Sequence, residues 1–149
     1  MSIEVVLPGL QTTIQDHGRY GCRHMGIPQS GAADLFSYKL ANFLLGQLPN
    51  ATVLECTLTG PSLRFLSNMQ IMISGADMQP EVNGSAIDMF APCRVQAGDE
   101  LIMHACLVGC RSYIAFSKDL VCDSFMGSSS TYLPAKVGGL NGKALASGD

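Results

Sequence analysis

A chain of 149 residues fits one compact domain, able to bury roughly two-thirds of its unfolded surface. With 47% hydrophobic and only 14% charged residues it is not a disordered chain, and its surface must be built largely from Gly, Ser, Thr, Asn and Gln, which suits coverage by a partner. A net charge of −3, with nine Lys and Arg spread thinly, argues against nucleic acid; the apolar runs are too short for a bilayer, and Glu4 and Pro8 precede any signal-like segment.

Residues 3–7 are a short β-branched run stopped by Pro8-Gly9, which predicts a strand and turn. Residues 11–31 are polar and punctuated by Gly18, Gly21, Gly26 and Gly31, the composition of a loop that positions functional groups on a scaffold. A helix is predicted over 32–45, with Ser30 as N-cap and Asp34 in the first turn. Leu35, Tyr38, Ala41, Leu44 and Leu45 form its apolar face, and Gly46 ends it in a left-handed conformation.

Strands follow over 52–59, 62–66 and 69–74, divided by Gly60-Pro61 and Ser67-Asn68. Asn83-Gly84 marks a hairpin between 79–82 and 86–89. Further strands are predicted over 93–96, 101–104 and 112–116, with turns at Gly98-Asp99 and Gly109. Many short strands at close spacing predict a mainly β fold, an antiparallel barrel or sandwich crossed by one helix. The tail from Gly127 onward is weakly patterned.

Gln15, Asp16, His17, Arg19 and His24 fall within ten positions. A carboxylate, a guanidinium and imidazoles on one loop suit binding of an anion or steering of a proton. The same groups also suit the plainer task of satisfying the loop backbone and each other, and spacing alone favours that task. The glycines here do not form a phosphate-binding fingerprint. Ser30 is either a plain helix cap or part of an anion site, and Asp34 is either a first-turn partner of the helix dipole or a site residue. Alternation puts Val53, Glu55 and Thr57 on one strand face, which points Glu55 toward water or a pocket. Asp77 follows Ser74-Gly75-Ala76 at a strand end, where barrel mouths carry function. The hydroxyl-rich segment Gly127-Ser128-Ser129-Ser130-Thr131 has the composition of a flexible turn.

The six cysteines include no C-x-x-C pair and several sit in apolar runs, so they are expected to be reduced thiols in a cytoplasmic protein. Cys106-x-x-x-Cys110 has no convincing partner set, and no metal site is predicted.

Pro8-Gly9-Leu10-Gln11-Thr12-Thr13-Ile14-Gln15-Asp16-His17-Gly18-Arg19 resembles a P-G-x-x-T-x-Q-D-x-G-R signature. Gly26 to Asp34 resembles G-x-P-x-S-G-x-x-D. Leu40-Ala41-Asn42, Asn50-Ala51, Leu54-Glu55, Gly60-Pro61, Ser74-Gly75-Ala76-Asp77 and Gly138-Gly139-Leu140-Asn141-Gly142 continue the match in order. Together they resemble the biotin-dependent carboxyltransferase family, also called the allophanate hydrolase subunit 2 family, to which the C component of 5-oxoprolinase belongs. The resemblance implies a cyclophilin-like antiparallel barrel, with residues 1–149 forming one domain, the N-terminal half of a longer family member. It departs at Ser129, where the family often carries Arg, so an anion contact is missing there.

The implied activity is ATP-dependent opening of the 5-oxoproline lactam to glutamate, by a hydrolase component inactive as an isolated half. ATP would be bound in the complex, and the implied partners are a kinase-inhibitor-like B component and a lactam-utilising A component. Asp16 and Arg19 are the expected catalytic residues; Gln15, His24, Ser30, Asp34, Glu55 and Asp77 are the expected substrate contacts. One alternative is a urea carboxylase or allophanate hydrolase-type component using biotin carried elsewhere, since no A-M-K-M-type carrier lysine occurs here. Another is a non-catalytic regulatory component that binds a kinase-inhibitor-like partner.

Overall fold

The computed structural model describes residues 2–149. Ten antiparallel strands form two five-stranded sheets. In the first, strands β1 (Ile3–Leu7), β4 (Ser62–Phe65), β9 (Glu100–Ile102), β6 (Glu81–Val82) and β7 (Ser85–Ala86) lie side by side in that order. The second runs β2 (Gln11–Gln15), β3 (Val53–Thr57), β10 (Val108–Phe116), β5 (Met69–Asp77) and β8 (Cys93–Val95). One α-helix, α1 (Leu35–Leu44), packs on β5 and β10. The mainly β architecture with one prominent helix is the one expected.

Period-two alternation divides the second sheet into two faces. Ile14, Leu54, Cys56, Ile71, Ile73, Ile114 and Phe116 point inward and meet Val5, Leu63, Phe65, Leu101 and Met103 in the main core. The opposite face carries Val53, Met72, Tyr113 and Ala115, which pack beneath Ala32, Tyr38 and Ala41 of the helix and its approach. The outer face of the first sheet is wet. There Glu4, Arg64 and Glu100 stand in cross-strand register, with ion pairs of 3.3 and 3.8 Å.

Local expectations fail in instructive places. Residues 11–15 are not loop but strand β2, registered on β3 from Gln11↔Thr57 to Gln15↔Val53. Their polarity conceals the pattern: Ile14 faces the core while Thr13 and Gln15 are buried from the other side. The helix is shorter than 32–45, and Ser30 does not cap it. Asp34 is the N-cap, its carboxylate accepting from the backbone N–H groups of Phe36 and Ser37 at 3.0 and 3.1 Å. Ser30 instead takes a left-handed φ of 54°, four residues ahead of that cap. Gly46 closes the helix with φ 73°, as predicted.

The Asn83-Gly84 hairpin also forms, both residues having positive φ as a type I′ turn requires. Strands β5 and β10 each reach nine residues, longer than predicted, because the ladder continues past an irregularity between Val108 and Ser112. The weakly patterned tail is ordered by main-chain bonds: Leu145 N–H to Thr12 O and Gly148 N–H to Val5 O fasten it across the edges of β2 and β1.

Candidate functional site

Two polar clusters flank the outer face of the second sheet, each drawing in part on residues 15–34. The first follows β2. The buried Asp16 carboxylate accepts from Gly18 N–H, Ser129 N–H and the Ser128 hydroxyl, each at 2.7 Å, and from the Ser130 hydroxyl. Burial would raise its pKa, but the bonds from Ser130, Ser128, Gly18 and Ser129 together outweigh burial and hold it below the usual carboxylate range. Arg19 is 2% exposed; its Nε donates to Phe125 O at 3.0 Å, its Nη2 to Ser130 O, and its guanidinium lies 5.6 Å from the Phe125 ring centre. Gln15 donates from Nε2 to Thr13 Oγ1 and Thr131 O.

The segment 128–131 is therefore a docked loop and not a flexible turn, with Ser128, Ser130 and Thr131 all buried. Glycines permit the close approach. A Cβ on Gly31, whose φ is 91°, would lie 2.9 Å from Gly18 Cα and N. A Cβ on Gly138 would lie 2.7 Å from Arg19 Nη2.

The second cluster centres on Glu55 of β3. The expected alternation holds, but Glu55 does not face water: the loop leading into α1 covers it, leaving it 5% exposed. One oxygen accepts from Ala33 N–H at 2.8 Å and from the Tyr113 hydroxyl at 2.9 Å. The other accepts from Arg111 Nη1 at 2.7 Å, and the same Nη1 also donates to Thr57 Oγ1 at 3.0 Å. The Tyr113 hydroxyl in turn accepts from Asp34 N–H at 2.7 Å. Burial first, then the neighbouring Glu55 charge, push the Tyr113 pKa up, so it stays a neutral donor.

The structure thus gathers Gln15, Asp16 and Arg19 with residues 125–131, and links Glu55 to Asp34 through Ala33 and Tyr113. His24 joins neither group: it is exposed in the 3-10 turn Arg23–Met25. Asp77 sits exposed at the end of β5, its carboxylate accepting from Gln79 N–H at 2.9 Å. Ser30 Oγ is buried without a partner among the described residues. Arg111 and Tyr113 were missed by sequence reasoning. The signal was present, since Arg111 alternates with Tyr113 on a strand whose outward side is otherwise small and apolar.

The N-terminus of α1 does not fit the phosphates of ATP. The N-terminus of α1, where a phosphate would bind, is filled by the Asp34 carboxylate, which would repel it. Among the described residues no group of His, Cys, Asp and Glu is arranged to hold a metal ion. A cavity of 490 Å³ lies on the other face of the sheet, its lining including Val5, Ile14, Leu54 and Leu63 together with Lys118 and Asp119.

A two-sheet β-domain with one helix, carrying a clamped polar loop over one sheet, is the class that fold and site define. Residues 25–149 match the family described as carboxyltransferase domain, subdomain A and B, and the chain belongs to that family. It is 38% identical to a urea amidolyase of Lachancea kluyveri over 99% of its length, covering 8% of that protein. It is 33% identical to the C component of 5-oxoprolinase from Escherichia coli over 99% of its length, covering 47% of that protein. A crystal structure of the Kluyveromyces lactis urea carboxylase superposes with a TM-score of 0.97 at 36% identity, over 99% of this chain and 13% of that one. The chain thus spans under a tenth of the urea amidolyase and about half of the 5-oxoprolinase component. Among the described residues no helix is long and apolar enough to cross a membrane.

Proposed function

We propose that this chain serves a 5-oxoprolinase complex that opens the 5-oxoproline lactam to glutamate with ATP. The observation that carries the reading is the match to the C component of 5-oxoprolinase, which takes in 99% of this chain and nearly half of the relative. An amide carbonyl is a poor electrophile; phosphorylating its oxygen makes attack by water feasible and releases phosphate as the C–N bond breaks. A kinase-inhibitor-like B component and a lactam-utilising A component are the partners in this reading, and ATP is held by them, since Asp34 closes the helix N-terminus here. Six free thiols suit a reducing cytosol.

Within this reading Asp16 and Arg19 act by position. Asp16 is saturated by four donors and Arg19 is buried, which supports holding the 128–131 loop against the 16–33 loop over direct contact with substrate. Gln15 and Ser30 extend that platform, and Glu55 and Asp34 fix the approach to α1. His24 and Asp77 are left as exposed groups for substrate or partner. The test is 5-oxoproline-dependent ATP hydrolysis by this chain, extended to the length of the 5-oxoprolinase C component it matches and mixed with both partners, compared with mixtures lacking each component. Turnover that needs all three is expected; no turnover with partners shown to bind would refute the reading.

A second reading, a urea carboxylase component using biotin attached elsewhere, is favoured by the higher identity to a urea amidolyase, 38% against 33% for the C component of 5-oxoprolinase, and by the superposition on the urea carboxylase. Urea-dependent ATP consumption that requires a biotin-bearing partner would establish it in place of the first.

A further inference from the structure

Arg111 differs from the other arginines near the polar face. Arg19 is buried, Arg64 is shared between two surface carboxylates, Arg23 is exposed and donates to Gln29, and Arg94 is exposed with no side-chain partner among the described residues. Arg111 is held by a buried carboxylate, yet 36% of its side chain is exposed. Nη1 takes both fixed contacts, Glu55 and Thr57, while Nε and Nη2 have no partner among the described residues. The guanidinium fork is planar, so fixing Nη1 also fixes the direction in which the free Nε–Nη2 edge points.

Polar side chains stand along the strands beside it. Gln11, Thr57 and Arg111 stand in cross-strand register on β2, β3 and β10, forming a polar shelf. The Glu55 charge does not cancel that of Arg111 outright, because Ala33 N–H and the Tyr113 hydroxyl draw on the same carboxylate. A second carboxylate therefore meets a donor pair already ordered, with little side-chain entropy left to lose.

We propose that the free Nε–Nη2 edge of Arg111 is a binding site for the carboxylate of a small substrate. This rests on the lactam-opening reading for the identity of the ligand: 5-oxoproline carries such a carboxylate beside its ring amide, whereas urea carries none.

The test is a titration of the 149-residue chain, observing arginine side-chain N–H resonances by NMR. The probes are 5-oxoproline, acetate, bicarbonate and the neutral lactam 2-pyrrolidone. 5-Oxoproline and acetate are expected to shift the Arg111 Nε–H signal, and 2-pyrrolidone to leave it in place. Arg111→Gln should weaken 5-oxoproline binding by about 10-fold or more, as for loss of a charge-assisted hydrogen bond. Arg111→Lys should recover part of the binding and Arg94→Gln should change nothing. Because the shift is read in the unaltered protein, a variant that folds poorly does not spoil the test. Absence of any carboxylate-induced shift at Arg111, or equal binding by the Gln variant, would overturn the site. Shifts with acetate and bicarbonate but not with 5-oxoproline would keep the site and refute the lactam reading.

Discussion

Asp16→Asn removes a buried charge while keeping the size of the side chain, so its cost reports the clamp between the two loops. Three donors converge on Oδ1 and one on Oδ2. An Asn that keeps its oxygen at the Oδ1 position retains three bonds, each weakened to a neutral one. Its amide then faces Ser129 N–H donor to donor. The weakened bonds cost roughly 0.5–1 kcal/mol apiece and the orphaned N–H roughly 1–3 kcal/mol, partly offset by relief of burying a charge. The sum is about 3 kcal/mol, or about 6–12 °C in Tm for a chain of this size. Urea unfolding followed by circular dichroism measures it, with an unchanged m-value expected.

The same carboxylate predicts an acid dependence. Its folded pKa is depressed, so the unfolded chain binds the proton more readily. Stability from Asp16 is thus fully present above the unfolded value near 3.8 and is lost as pH falls through the lower folded value. Wild type should lose stability on acidification more steeply than Asp16→Asn. A cost below about 1 kcal/mol, or identical acid slopes, would refute the clamp.

Glu55→Gln leaves Arg111 without its counter-ion and weakens the bonds to Ala33 and Tyr113. About 2–3 kcal/mol of destabilisation is expected in the same unfolding assay, and an effect within about 0.5 kcal/mol would contradict the network. Gly31→Ala places a Cβ against the Gly18 backbone at a positive φ, and should lower Tm by several degrees, read by calorimetry. Cys56 is fully buried, which pushes its thiol pKa up to about 12, so at about pH 8 it should resist iodoacetamide while exposed Cys110 reacts, as peptide mass spectrometry will show.

Much was legible without coordinates, for definite reasons. Gly46 ended the helix and Asn83-Gly84 turned the hairpin because both conformations depend on local backbone freedom, which a residue carries wherever it sits. The free cysteines and the alternation of Val53, Glu55 and Thr57 were likewise readable, and the ordered motif blocks pointed to the family that the comparison then identified.

What the sequence did not disclose are facts about burial between distant segments. β2 was hidden because its outward Thr13 and Gln15 are sheltered by residues more than a hundred positions away, so polar side chains occupy a buried strand face. Ser30 was expected as the cap and Asp34 in the first turn; the bonds from Phe36 and Ser37 N–H to the Asp34 carboxylate make Asp34 the cap instead. Whether Asp16 touches a ligand or a loop depends on where Ser128–Ser130 dock, and whether Glu55 meets water depends on the chain that crosses it. Arg111 gains its place only when β3 and β10 are paired in register. Local chemistry set the turns, caps and alternation of this protein; long-range pairing decided which of its polar groups are spent on the fold and which remain free to bind.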